Sequence, residues 1–379
     1  MINKTDNICF MQDKFQRVTD KNNVGNTNVL TISAQHGLIN QFEYYNHQYA
    51  SENTSGYTLL HKGDFAYNKS YSDGYPWGAT KRLERYDSGV VSPLYICFAA
   101  KDGVCADFYS YYFESEPFYR EIYKIAQEGA RNHGLLNVAT EDFFKIRIAN
   151  PPLEEQRRIA EILGCCDRVI ALKKELIAEK KKQKKALMQK LLNPDSGFRL
   201  PGFSGERKIK TYAEIFDKIP VKKYQISSNE YRKQGLYPII DQGQEIVVAY
   251  SDDPTHVFHC PMQGVIIFGD HTRELKYASF DFIIGADGTQ VFTTIRENCL
   301  YMFYFCKMIN IPNLGYNRHF SYIKSASFAV HSSLLEQQAI ADILSAADKE
   351  IDLLEQELAQ QEQKKKSLMQ LLLTGTVRV

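Results

Sequence analysis

The chain has 379 residues, a formal net charge of +1 from 46 basic and 45 acidic side chains, and 44% hydrophobic residues. That is the composition of a folded chain with room for two or three domains, which excludes disordered and collagen-like architectures. No apolar run approaches the ~20 residues that span a bilayer, and Met1 opens onto INKTDN rather than a secretory leader, so membrane partners are not expected. The eight cysteines show no CxxC spacing and read as thiols in a reducing compartment, which points to a cytoplasmic protein. Near-zero net charge argues at first against nucleic-acid binding, because such proteins usually carry a basic excess.

Residues 1–150 are dense in Tyr, Phe, Ile, Asn and Gly, with short β-like runs such as GVVSPLYICF (residues 89–98) and a helical stretch, FYREIYKIAQEGA (residues 118–130). This predicts a compact α+β globule. Residues 151–193 change texture: after Pro151 and Pro152 the segment lacks Pro and is rich in Leu, Ile, Ala, Glu, Gln and Lys until Asn193, which predicts one long helix. Residues 194–333 return to the globular texture, opening on the linker NPDSGFRLPGFSGE (residues 193–206) and continuing through GVIIFG (residues 264–269) and DFIIG (residues 281–285). Residues 334–379 are helical again.

The two helical segments are copies of one another. LEEQRRIAEILGCCD (residues 153–167) recurs as LLEQQAIADILSAAD (residues 334–348), displaced by 181 positions, and the match continues without a gap to Leu192 and Leu373. Ile170, Lys173, Ile177, Lys180, Lys184, Leu187 and Leu191, with Ile351, Leu354, Leu358, Gln361, Lys365, Leu368 and Leu372, fall at alternating spacings of three and four. Such spacing is a heptad seam, here apolar at its ends and polar in the middle. At ~1.5 Å per residue each copy makes a rod of roughly 60 Å.

The first rod carries +5 and the second −3. Parallel packing would set Lys184 and Lys185 against Lys365 and Lys366, so charge favours an antiparallel pair. The expected fold is therefore α+β, with two globules separated by two long helices packing as an antiparallel coiled coil, and a pseudo-twofold internal repeat. The near-neutral total is a sum over unlike segments and loses its force against DNA binding.

Catalytic patterns are weak. Asn150-Pro151-Pro152-Leu153 is similar to the Asn-Pro-Pro-aromatic loop of amino-methyltransferases, but its fourth residue is Leu153 and no glycine-rich fingerprint for S-adenosylmethionine accompanies it; a helix lead-in is the better reading. Asp195 with Glu206 and Lys208 imitates a metal-dependent nuclease motif inside a Pro/Gly/Ser linker without a β run. His256, His259 and Cys260 lack a second ligand pair, and Gly74 and Gly78 are too close for a phosphate loop. A non-catalytic chain is expected, with no cofactor of its own.

What remains is a recognition surface. AYNKSYSDGYPWGATKRL (residues 66–83) sets Asn68, Lys69, Ser70, Lys81 and Arg82 among glycines and aromatics, the mixture expected where a loop meets phosphates and base edges. FGDHTRELKY (residues 268–277) is its counterpart and offers His271, Thr272 and Arg273. GARNHG (residues 129–134) and GYNRHF (residues 315–320) form a second matched pair, supplying Arg131 and Asn132, and Asn317 and Arg318. The lysine run of residues 180–185 reads equally as a solvated helix face or as a track for phosphate or a partner protein.

With this order of globules and rods, the sequence resembles the DNA-specificity subunit of type I restriction-modification systems. PPLEEQRRIAEIL (residues 151–163) and LLEQQAIADIL (residues 334–344) look like the two conserved helical regions of that family. TISAQHGLINQFEYY (residues 31–45), KGDFAYNKS (residues 62–70), GVVSPLYICF and EGARNHGLLN (residues 128–137) look like one subgroup of its target-recognition domains. His331-Ser332-Ser333 replaces the usual Pro-Pro before the second rod, and the first globule opens abruptly, without a counterpart of FSGERKIKTY (residues 203–212).

The resemblance implies a non-catalytic adaptor in which each target-recognition domain, residues 1–150 and 194–333, reads one half of a bipartite double-stranded DNA site. The spacers, residues 151–193 and 334–379, would set the unread gap and dock two copies of the methyltransferase subunit. Those partners would bring S-adenosylmethionine, and a restriction subunit would bring ATP- and Mg-dependent translocation and cleavage. The competing expectations are a metal-dependent nuclease or self-contained DNA methyltransferase, or a coiled-coil scaffold that ignores DNA.

Overall fold

The computed structural model describes residues 8–33, 36–47, 53–70, 75–128, 136–285, 288–313, 315 and 318–379. Arg131, Asn132 and Asn317 lie outside the described residues. The chain divides into two compact units, Met1–Lys173 with Glu357–Val379, and Lys174–Gln356. Each combines one α+β globule with a portion of each long helix, a grouping that cuts across the four consecutive sequence segments.

The repeat folds as two uninterrupted helices, Leu153–Leu192 and Leu334–Leu373. Within each unit they run antiparallel. In the first, Lys365 pairs with Asp167 at 2.5 Å and Lys173 with Glu357 at 2.6 Å. In the second, Lys180 pairs with Glu350 at 2.6 Å, Lys181 with Glu355 at 2.7 Å, and Lys184 with Asp348. Ile170, Ile177, Ile351 and Leu372 are buried on the apolar part of the seam, and the polar part is a ladder of ion pairs. Much of the lysine run is therefore spent inside the helix pair, although Lys182 remains exposed.

The two globules repeat one sheet. In the first unit the order is Phe15–Arg17, Ile96–Ala100, Phe65–Asn68 and Ala79–Arg82; in the second it is Phe216–Ile219, Thr289–Thr294, Val265–Gly269 and Leu275–Ala278, with antiparallel neighbours throughout. Aromatic residues fill the space behind each sheet. Phe65 stacks on Phe98 at 5.3 Å with Phe15 edge-on to both, and Phe216 and Phe292 meet edge-on at 5.1 Å beside Phe320. The second unit adds a smaller sheet in the order Ala249–Ser251, Tyr237–Ile240, Phe282–Ile284 and Val257–Phe258, which contains one parallel pair.

The opening of the first globule corrects the sequence reading. Ile8–Phe10 pairs with Arg147–Ala149 and leads through the short helix Met11–Lys14 into Phe15–Arg17. That is the path of Arg207–Thr211, which pairs with Ser327–His331 and leads through Tyr212–Ile215 into Phe216–Ile219. Asp13 and Glu214 do the same work, accepting from the backbone N–H groups of Phe10 at 2.8 Å and Thr211 at 2.7 Å. The likeness is carried by backbone pairing and one acidic cap, so side-chain comparison misses it. Lys208 thus lies on a strand rather than in a linker, whereas Asp195 sits in the tight turn Pro194–Ser196. Among the described residues no three His, Cys, Asp or Glu side chains gather to hold a metal ion, and no helix is long and apolar enough to cross a membrane.

Where the second globule meets its helix start, His331 is buried, its Nδ1 2.6 Å from the Tyr301 hydroxyl. Burial and the nearby Arg207 and Arg199 push its pKa down to about 4 despite the Glu336 carboxylate. An unfolded histidine protonates near pH ~6.5, so between there and about 4 the unfolded chain takes up a proton that the folded chain refuses. Stability contributed by neutral His331 is full above that window and falls as the pH drops through it. Thermal midpoints measured across it should decline, and His331→Gln should flatten the decline; an unchanged slope would contradict this account.

Candidate nucleic-acid interface

In each globule the third and fourth strands of the sheet form a hairpin; its turn carries Lys69 and Ser70 in the first unit and His271, Thr272 and Arg273 in the second, while Asn68 ends the third strand and Lys81 and Arg82 lie on the fourth. The registers match: Ala66 faces Lys81 in the first unit as Ile267 faces Lys276 in the second. The two loops are therefore true structural counterparts. In the first unit the chain returns at Gly78, whose φ of +77° and whose absent Cβ, which would fall 2.3 Å from the Asn68 carbonyl oxygen, exclude a side chain. In the second, Arg273 itself takes the left-handed conformation at φ 68°, held by its N–H on the Gly269 carbonyl at 2.7 Å. Strain of this kind, ~1–3 kcal/mol, persists where surrounding contacts fix it, and it clusters at functional loops.

Each hairpin turn is tied to a segment of its own unit, which in the first follows GARNHG and in the second ends GYNRHF. In the first, the Lys69 ammonium donates to the Val138 carbonyl at 2.9 Å, and the Lys69 carbonyl accepts from the Leu136 N–H at 3.0 Å, just beyond GARNHG. Burial, with Arg17 nearby, lowers the pKa of Lys69. In the second unit the tie is Asp270. Its buried carboxylate accepts from the N–H groups of His319 at 2.7 Å and Phe320 at 2.8 Å, and from the Gln290 amide at 3.4 Å. Its own carbonyl lies 3.0 Å from His319 Nδ1. The short helix Phe320–Ser325 has no side-chain cap of its own, so Asp270 caps it from across the fold. Sequence reasoning matched the loops between globules but did not foresee that in the second unit the turn at Asp270 is bonded to the segment carrying His319 and Phe320.

The candidate side chains are not equivalent in their surroundings. Asn68 turns inward to accept from the Ser70 N–H at 3.0 Å. Lys81 pairs with Glu114; burial alone would lower its pKa, but Glu114 and Tyr75 raise it. Arg82 lies opposite Phe65, at the far end of the hairpin from the Asn68–Ala79 pair. Its guanidinium is held by Glu84 and Asp107, each at 2.6 Å, in the wall of a cavity of about 480 Å³ that the long helix completes with Arg157, Glu161 and Arg168.

Thr272 donates to the Gln242 carbonyl at 2.5 Å, the Arg273 guanidinium reaches the Ile311 carbonyl at 3.3 Å, His271 is half-buried, and Arg318 is exposed. Sequence reasoning also missed Lys276, the register counterpart of Lys81. It is buried, donates to the Asp241 and Glu245 carbonyls, and has a pKa lowered by that burial. The shared pattern of a hairpin followed by an alternating lysine was its visible signal.

Residues 13–181 match the family model described as the type I restriction modification DNA specificity domain. A curated relative, the putative type I restriction enzyme MjaX specificity subunit of Methanocaldococcus jannaschii, is 28% identical over 282 residues, which is 69% of this chain and 65% of the relative's length. Among solved structures, the type I restriction-modification system S subunit from M. genitalium aligns at a TM-score of 0.61 and 15% identity, with 98% of each chain covered. A chain from a study of complex assembly and conformational transition of the type I R-M system aligns at 0.55 and 18%, covering 97% of this chain and 96% of the other. At these identities the structural likeness is one of fold.

Proposed function

We propose that this chain, whose residues 13–181 match the type I restriction modification DNA specificity domain, is the sequence-reading subunit of a type I restriction-modification complex, each globule recognising one half of a bipartite double-stranded DNA site. The observation that carries this reading is the doubling of one device. Two globules with the same sheet order and hairpin register bond the hairpin turn to a later segment of the same unit, Leu136 and Val138 in the first and His319 and Phe320 in the second, yet the side chains of the two turns differ, as two unlike half-sites require. The paired helices supply the unread gap between those half-sites.

The chain performs no chemistry in this reading. Two copies of a methyltransferase subunit would bring S-adenosylmethionine, and a restriction subunit would bring ATP- and Mg-dependent activity. The repeat supports two copies of one partner, because it offers equivalent surfaces twice: Leu172 and Leu353 occupy matching positions, and are 64% and 60% exposed. Apolar side chains presented alike on two helices suit one docking surface used twice.

Recognition should follow the globule. Replacing residues 1–150 by another target-recognition domain, joined ahead of the helix that begins at Leu153, should change one half of the methylated motif and leave the other. Sequencing of methylated adenines in cells carrying the chimera and its partners reads this directly. A motif unchanged in both halves would reject the proposal in favour of a scaffold that ignores DNA.

A further inference from the structure

We infer that a corner of each globule, distinct from the side chains assigned above to base reading, grips the DNA phosphate backbone: Arg17 and Lys145 in the first unit, and Lys218 and Lys324 in the second. This rests on the DNA-reading role proposed above and assigns the electrostatic part of it. The corner is formed where the edge strand of the sheet meets the short helix that follows the second loop.

Arg17 and Lys218 hold the same register position on that edge strand. Arg17 faces Phe98, Lys218 faces Phe292, and these two phenylalanines lie in turn opposite Phe65 and Ile266 of the hairpin. In the first unit Arg17 and Lys145 line one shallow hollow of about 230 Å³ with Phe144, Gln12 and Glu141. In the second, Lys218 and Lys324 converge on one aromatic ring, their ammonium groups 5.6 Å and 5.4 Å from the centre of Phe320. Phe320 is the residue whose N–H is held by Asp270, which puts this cationic corner beside the hairpin turn.

The register shared by Arg17 and Lys218 goes with the lack of a carboxylate partner, a property that exposed cations elsewhere, such as Lys62, have without that placement. Lys81, Arg82, Arg199, Lys210 and Arg232 are each bound to a carboxylate. Among the described residues Arg17, Lys145, Lys218 and Lys324 form no ion pair, and all four are exposed. The acids close to them in the fold or the chain, Asp13, Glu141, Asp142, Glu214 and Asp217, form no ion pair with them. A cation kept exposed and unneutralised at the same register in two diverged domains suits a ligand that is common to both. The bases of two half-sites differ, whereas the phosphodiester backbone does not. Flanking aromatic rings narrow the motion of the ammonium groups without cancelling their charge.

Phosphate contacts have a signature that base contacts and folding defects lack: the logarithm of the binding constant falls with the logarithm of salt concentration, at ~0.9 per neutralised phosphate. Anisotropy titrations of the full chain with one fixed duplex of arbitrary sequence, repeated over a range of salt, measure that slope. Arg17→Ala with Lys145→Ala, and separately Lys218→Ala with Lys324→Ala, should each lower the slope by about 1.8 and weaken binding to any duplex alike. Lys62→Ala serves as the control, an exposed cation in the turn at the opposite end of the strand Phe65–Asn68; it should leave the slope as it was. Slopes equal to that of the parent chain, or a fall matched by Lys62→Ala, would overturn the assignment of the corner while leaving the DNA-reading role standing. A parent chain with no salt-dependent binding to the duplex would overturn both.

Discussion

Replacing Asp270 by alanine should erase recognition of one half-site while the other half is read normally. The carboxylate accepts two backbone N–H groups at the start of the helix Phe320–Ser325, and both donors are buried. Without it they lose their acceptor where no water replaces it, a cost of ~1–3 kcal/mol for each donor. The sheet and its aromatic core do not depend on this bond, since Phe216, Phe292 and Phe268 pack beneath it on their own account. The loss is therefore local: the segment carrying Arg318 and His319 comes away from the turn carrying His271, Thr272 and Arg273.

A base contact displaced by an ångström forfeits most of the ~1–3 kcal/mol that a bidentate pair supplies, so several positions of that half-site should become degenerate together. Asp270→Asn keeps an acceptor oxygen and sheds only the charge, and should retain most of the specificity. The methylated motif of cells expressing each variant distinguishes these results. Equal damage to both half-sites, or an asparagine variant as defective as the alanine, would refute a positioning role for Asp270.

The sequence made the long helices legible almost to the residue, because a gapless repeat of strong helix formers leaves the chain few alternatives. Their antiparallel direction was legible as well, from where the lysines cluster. The globules were legible only as texture. Their shared sheet is written in backbone pairing, and once an aromatic and an aliphatic residue, Phe65 and Ile266, stand at one register, side-chain identity no longer reveals it. Of the cations, polarity and loop placement suggested Lys81 and Arg82 and passed over Arg17 and Lys218. What distinguishes them is whether a carboxylate distant in sequence folds back to meet them. Glu114 is 33 residues from Lys81 and Asp107 is 25 from Arg82, separations over which a sequence pattern says nothing about contact. Asp270 went unnoticed for the same reason, since its partners lie 49 and 50 residues further on.

The largest loss of stability should follow from Asp348→Ala, and comparison with Asp167→Ala should show why. The repeat places these aspartates at equivalent positions, and each globule answers with a tyrosine. Tyr304 donates to Asp348 at 2.8 Å and Tyr111 to Asp167 at 2.7 Å, while Lys184 and Lys365 complete the two sets from the other long helix and lie 5.6 Å and 5.3 Å from the same rings. Each set thus fastens a globule to both helices within its own unit. The second set is the more enclosed, with Lys184 13% exposed and Asp348 31%, against 22% and 44% for Lys365 and Asp167.

Lys307 sharpens the difference. Burial first, and then Lys184, lower its pKa, whereas Asp348 supports its charge. Removing Asp348 leaves the enclosed Lys184 and the nearby Lys307 without the carboxylate that offsets their repulsion, and the Tyr304 hydroxyl without its acceptor. Breaking a buried pair by deleting one partner costs ~3–5 kcal/mol, and the enclosure of this set puts Asp348→Ala at the lower end of that range. Asp167→Ala deprives a more hydrated lysine and tyrosine, and should cost ~1–2 kcal/mol. Urea unfolding of the full chain, followed by circular dichroism, should show the larger shift for Asp348→Ala; equal shifts would mean that solvent exposure does not set the strength of these two attachments.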